Sequence, residues 1–233
     1  MKTTDETKAR ILKKFSRRTH DKKMTLMSPF VANKSRKTLF FHIAKTGGSA
    51  IHAILKKKGL DDGILSQKRG HYEEKLNYFT DIVEHWDEYY KFTMTRNKYA
   101  LLVSNWNYDK KNLKLKGIKY TDSINHFRAF VKQIVQTSDE NYGYWIDQYY
   151  ITTVHGDPIF DFIGDYNNFE RDLKIAMDHI GLKKYNSQQR INQVAYKKKI
   201  HFSEYYDQET KDIVKTKFKA EMDYFGYKLR GQL

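Results

Sequence analysis

The 233-residue chain contains no cysteine. That excludes a disulfide framework, thiol catalysis and cysteine-ligated zinc. Prolines number only two, Pro29 and Pro158, so no proline-rich linker marks a domain boundary. No apolar run approaches the roughly 18 residues that a membrane-spanning helix needs. The first residues, MKTTDETKARILKKFSRR, lack the apolar centre of a secretory signal, and a cytoplasmic location is expected. Repeats and low-complexity tracts are missing too, beyond short lysine clusters at 56–58 and 197–199. Hydrophobic residues make up 39%, which is lean for a globular chain.

Aromatic residues fill that gap: 18 Tyr, 14 Phe and 3 Trp are too many for a disordered chain. Forty-three Lys and Arg face 28 Asp and Glu, a net charge of +15. The charge is uneven, because residues 1–37 carry twelve Lys/Arg and three Asp/Glu. They read as a basic lead-in, a solvated arm, before one domain over 38–233. Such a balance favours polyanionic ligands, nucleic acid among them.

Strand-like and helix-like stretches alternate. Thr38–Ile43 is a β-prone apolar run, after which Ile51, Ile54 and Leu55 recur at helical spacing. Tyr90–Thr95 reads as a second strand and Tyr99–Trp106 as a helix. Ile124–Val135 is amphipathic, with Phe127, Phe130, Val131, Ile134 and Val135 on one face. Ile159–Ile163 reads as a strand, Phe169–Ile180 as a helix closed by Gly181, and Ser203–Phe225 as a long helix ended by Gly226. The alternation predicts an α/β fold with a mainly parallel sheet flanked by helices.

The richest stretch is Phe40-Phe41-His42-Ile43-Ala44-Lys45-Thr46-Gly47-Gly48-Ser49. Two glycines between a strand and a helix let backbone N–H groups approach an anion, and the helix start adds its positive dipole end. Lys45 supplies a point charge, and Thr46 and Ser49 supply hydroxyls. The order is neither a Walker A loop nor a dinucleotide turn. An ordinary tight turn has the same spacing, so phosphate binding and simple chain reversal both stay open.

This stretch resembles the 5′-phosphosulfate loop of the carbohydrate sulfotransferases, with the pattern F-x-H-x-P-K-T-G-G-T/S. A second segment, Trp86 to Ser104, resembles that family's W-x-x-Y-x-K-F-x-F-V-R-N-P-[YW]-D-R-L-V-S. Phe162–Asp172 is similar to F-I-G-R-[FY]-E-N-L-x-x-D. Tyr205-Tyr206-Asp207-x-x-Thr210 with Phe225-Gly226-Tyr227 is similar to the closing Y-Y-[DN]-x-x-T and F-G-Y. The likeness spans about residues 38–228 and keeps the order of all four motifs.

The resemblance implies a sulfotransferase fold with a P-loop-like strand–loop–helix nucleotide site. It implies transfer of a sulfuryl group from 3′-phosphoadenosine-5′-phosphosulfate (PAPS) to a hydroxyl acceptor, a carbohydrate in the first instance. Lys45, Thr46, Gly47, Gly48 and Ser49 would hold the 5′ end and Lys45 would act on the leaving oxygen. Arg96 and Ser104 would hold the 3′-phosphate, Arg96 through its bidentate fork. His71 stands about where the family places a histidine, and its imidazole suits a general base near neutral pH. Glu73 and Glu74 are the fallback bases. His42 reads as a core histidine, Trp145, Tyr149 and Tyr150 as core rather than a sugar platform, and Lys197–Lys199 with His201 as either a basic face or a cover over the nucleotide. No metal is expected, since no ligand cluster is evident.

Departures accompany the likeness. Ala44 replaces a proline. Lys98 replaces a proline, Ala100 and Leu101 replace an Asp/Arg pair, and Asp165 and Asn167 replace an arginine and a glutamate. A catalytically degenerate nucleotide-binding module and a basic nucleic-acid-binding protein are the rival readings. The four ordered motifs argue against nucleic acid as the ligand.

Overall fold

Thr38-Leu39-Phe40-Phe41 is buried along its whole length, and the principal sheet is built around it. A computed structural model describes residues 2–18, 24–26, 30–66, 71–109, 123–136, 147–186 and 200–229. In chain order the first elements are α1 (Asp5–Phe15), β1 (Ser16–Arg18), β2 (Met24–Leu26), β3 (Phe30–Asn33), β4 (Thr38–Phe41), α2 (Gly48–Lys57), α3 (Tyr72–Glu84) and β5 (Tyr90–Thr95). There follow α4 (Lys98–Asp109), α5 (Ile124–Gln136), α6 (Gln148–Thr152), β6 (Thr153–Val154), β7 (Asp157–Pro158) and β8 (Phe162–Asp165). The last are α7 (Phe169–His179), α8 (Gln208–Lys217) and α9 (Lys219–Phe225).

Two compact units divide the chain: Met1–Thr95 with Ile151–Ile191, and Arg96–Tyr150 with Asn192–Leu233. In the first unit the sheet order is β3-β4-β5-β8. β4, β5 and β8 are parallel, whereas β3 is antiparallel to β4. The fold is therefore α/β with a mixed, mostly parallel sheet. Side chains alternate across the strands, so each face of β4 has its own cover. Phe40 and Phe92 turn to α2 and α7, meeting Ile51, Ile54, Leu55, Leu173, Ala176 and Met177. Phe41 turns the other way into an aromatic cluster with Phe15, Phe30 and Phe79.

Helix α1 and strand β3 of the basic lead-in thus contribute to this unit's core, so these described parts of it are not a solvated arm. The charged residues of α1 are exposed or half-buried, while Ile11 and Phe15, four residues apart, share the inner face and are fully buried. Phe15 lies edge-on to Phe30 at 5.3 Å and to Phe79 at 6.0 Å. Net charge hid this amphipathic pattern.

Two further elements differ from the sequence reading. The strand expected at 159–163 begins at Phe162, because Ile159 still donates its N–H to Thr152 in the β6–β7 hairpin. Phe162 is the first residue to pair with β5. The long helix expected over 203–225 is a 3-10 turn (Phe202–Tyr205) followed by α8 and α9. Tyr206 is extended, and Asp207 starts a new helix by capping Thr210 N–H at 2.9 Å. Among its described residues the second unit is helical, cored by Tyr99, Leu102, Trp106, Phe127, Phe130, Tyr206 and Phe218. No helix of the described residues is long and apolar enough to cross a membrane.

Truncating Phe15 tests the new role of the N-terminal helix. Phe15→Ala should destabilise the protein by about 3–5 kcal/mol, the usual cost of emptying a buried aromatic site. Urea unfolding measures it, and a loss under about 0.5 kcal/mol would return α1 to the status of a surface arm.

Candidate functional site

The chain leaves β4 through His42 and Ile43 and reverses in a turn over residues 44–47 before entering α2. Lys45 and Gly47 both have left-handed backbones, at φ 66° and 86°. Glycine adopts that conformation readily; a lysine does so at a cost of about 1–3 kcal/mol, and such strain clusters at functional turns. Thr46 is fully buried and gives its hydroxyl proton to the Ile43 carbonyl at 2.8 Å. Its side chain therefore works inside the turn.

Each glycine is also required by what lies behind it. A Cβ at Gly47 would come within 2.5 Å of the Phe169 ring. One at Gly48 would fall inside the His42 imidazole. The first motif is thereby pressed against the third, since Phe169 opens α7. Helix α2 starts without a side-chain cap and without an acidic residue in its first turn. Ala50 and Ile51 return N–H bonds to the Gly47 carbonyl, at 3.0 and 3.4 Å. A positive helix end with a strained lysine beside it is chemically suited to an anion.

His42 is half-buried, and its pKa is pushed down to about 4, first by burial and then by the nearby His52 and Lys45. It is a neutral imidazole at neutral pH, stacked at 6.1 Å on Phe40. It is half-buried rather than fully in the core, and it forms the wall behind Gly48.

In the second unit, Arg96 is half-buried and its backbone is doubly bonded by one side chain. Gln148 accepts the Arg96 N–H and donates to the Arg96 carbonyl, both at 2.8 Å. Asn97 caps α4, accepting Tyr99 N–H at 3.0 Å and donating to Lys228 O at 2.8 Å. Ser104 lies half-buried two turns into α4. Lys98, at the proline position of the motif, is completely buried, with Nζ 2.8 Å from Glu221 and 4.1 Å from the centre of the Phe218 ring. The sequence offered no sign of Gln148 or Glu221 as partners of this motif.

His71 stands at the start of α3 with a left-handed backbone and a side chain that is 64% exposed, its Nδ1 3.3 Å from Glu74. Glu73 and Glu74 are exposed in the same turn. Tyr149 packs at 5.1 Å on Tyr224, whereas Tyr150 is exposed. His201 is exposed and caps Ser203. Trp145 and Lys197–Lys199 lie outside the described residues. Among the described residues no group of three or more His, Asp or Glu is placed to hold a metal.

The neutral His42 imidazole sets a pH dependence. Below its ordinary value of 6.5, His42 takes up a proton in the unfolded chain but resists one in the fold until about pH 4. Its contribution is therefore complete above pH 6.5 and is lost as pH falls from 6.5 toward 4. A His42→Asn variant should lose less melting temperature than the parent over that interval. Calorimetry at several pH values measures it, and parallel slopes would show that the imidazole is not held neutral. Compared with known proteins, the chain matched no family model, no curated protein and no solved structure.

Proposed function

We propose that this protein transfers a sulfuryl group from PAPS to a hydroxyl acceptor of the carbohydrate class. The observation that carries the reading is topological. β4, β5 and β8 are adjacent and parallel, in register at Phe41↔Thr93 and Thr95↔Asp165. Three motif segments far apart in sequence therefore leave the sheet at one end, the carboxyl end, where ligands of open α/β sheets bind.

The chemistry follows from the side chains. An acceptor oxygen attacks sulfur in line; the new S–O bond forms as the bond from sulfur to the 5′-phosphate oxygen breaks. Adenosine 3′,5′-bisphosphate leaves with the electron pair. Lys45 neutralises charge on that leaving oxygen, and the N–H groups at the start of α2, with Thr46 contributing backbone, receive the 5′-phosphate. Arg96 and Ser104 take the 3′-phosphate. The acceptor proton passes to His71, whose Nδ1 faces Glu74 at 3.3 Å. That carboxylate would orient the ring so that Nε2 accepts. Glu73 and Glu74 are the alternative bases. The scheme calls for no metal.

One observation favours binding without transfer. Where the family pattern has Pro, Asp and Arg, this chain has Lys98, Ala100 and Leu101, all buried. Charges that could serve catalysis have become packing. The same experiment separates the two readings.

Lys45→Ala should lower the transfer rate at least about 10²–10³-fold, the scale for losing one charge-stabilising donor. Arg96→Ala should weaken adenosine 3′,5′-bisphosphate binding about 10–100-fold. Calorimetric titration and turnover on a panel of saccharides measure both. Binding without turnover by the parent protein would favour the binding module; no binding at all would end the proposal.

A further inference from the structure

We infer that Gln148 is the positioning residue for Arg96, and that a buried Lys98–Glu221 pair holds Gln148 in place, giving the protein its preference for nucleotides with a 3′-phosphate. The inference rests on the sulfotransferase reading and deepens it.

Gln148 is completely buried, and its amide is used on both sides. Oε1 accepts the Arg96 N–H at 2.8 Å, and Nε2 donates to the Arg96 carbonyl at 2.8 Å. A single side chain thus pairs with one residue as a neighbouring strand would, fixing the peptide planes on either side of Arg96. The amide is itself fixed: Nε2 donates to Glu221 Oε1 and the Gln148 backbone N–H to Glu221 Oε2, each at 2.6 Å. Glu221 is held in turn by Lys98 Nζ at 2.8 Å, and neither side chain is exposed.

The arrangement answers a loss in the sequence. Asn97 caps α4, so Lys98 is its first helical residue, the position where proline pre-sets the backbone angle. This chain gives up that restraint and anchors the same turn through the Lys98 side chain. Arg96, two residues earlier, sits on a backbone tied at both faces. A guanidinium binds phosphate by a fork whose value depends on orientation. Freedom at Arg96 should therefore cost affinity for the 3′-phosphate while sparing the rest of the nucleotide.

The test compares adenosine 3′,5′-bisphosphate with adenosine 5′-phosphate by calorimetric titration. Gln148→Met keeps volume and removes the amide. Gln148→Asn keeps a buried amide one methylene too short to bridge both Arg96 groups, and serves where the first variant does not fold. Either folded variant should lose about tenfold or more in the affinity ratio of the two nucleotides, with the 5′-phosphate bound within about twofold of the parent. An unchanged ratio, or parallel weakening of both, overturns the positioning role. A parent protein that shows no preference for the 3′-phosphate overturns the sulfotransferase reading first, and this inference with it.

Discussion

The turn at 44–48 depends on a contact that leaves no room for side chains. Gly47 faces the Phe169 ring and Gly48 faces the His42 imidazole, so the start of α2 is clamped between the first residue of α7 and the first residue after β4. Burial of Thr46, with its hydroxyl bonded to Ile43, closes the turn from inside. The clamp explains how a lysine can be kept in a left-handed backbone. The surroundings over-determine the local conformation, and the strain is offset by packing elsewhere. A turn needed only to reverse the chain would be cheaper with glycine at position 45.

Charge in this protein is partly structural. Lys91 is buried beside Asp161, its ammonium 2.9 Å from that carboxylate and 3.0 Å from the Trp86 carbonyl. Lys98 is buried against Glu221. Burial pushes the Glu221 carboxyl up, and the Lys98 ammonium pulls against that shift. Fully buried pairs such as Lys98–Glu221 add little net stability over an apolar replacement, yet removing one partner costs about 3–5 kcal/mol. Their value is then specificity of arrangement, and in the second unit what is arranged is the backbone of Arg96. The net charge of +15 is therefore a poor guide to surface potential on its own.

Legibility in the sequence followed physical scale. Elements set by short-range pattern were readable: β4 from its apolar β-prone run, α5 from its amphipathic face, the end of α7 from Gly181 at φ 73°. Competition between neighbours was harder to see. Helical periodicity runs through 203–225, but the Asp207–Thr210 cap is a stronger local signal and restarts the helix. The basic lead-in misled for a related reason. Two inward residues on α1 decide its fate, and a count of lysines conceals them.

The site divides along the same line. Gly47, Gly48, Lys45 and Arg96 could be singled out as candidates because residue type in a fixed order suggests their chemistry. Gln148 and Glu221 could not, since each acts through partners 52 or more residues away. Nothing at position 148 distinguishes a buried amide from a surface one until the chain is folded. Yet substitution of proline by lysine at 98 was visible, and a charged residue in a motif core demands a counter-charge. A departure from a resembled pattern can thus be more informative than agreement. Lys98 obliges the rest of the chain to supply a compensating carboxylate, and in the folded chain that obligation leads to Glu221, to Gln148 and back to Arg96.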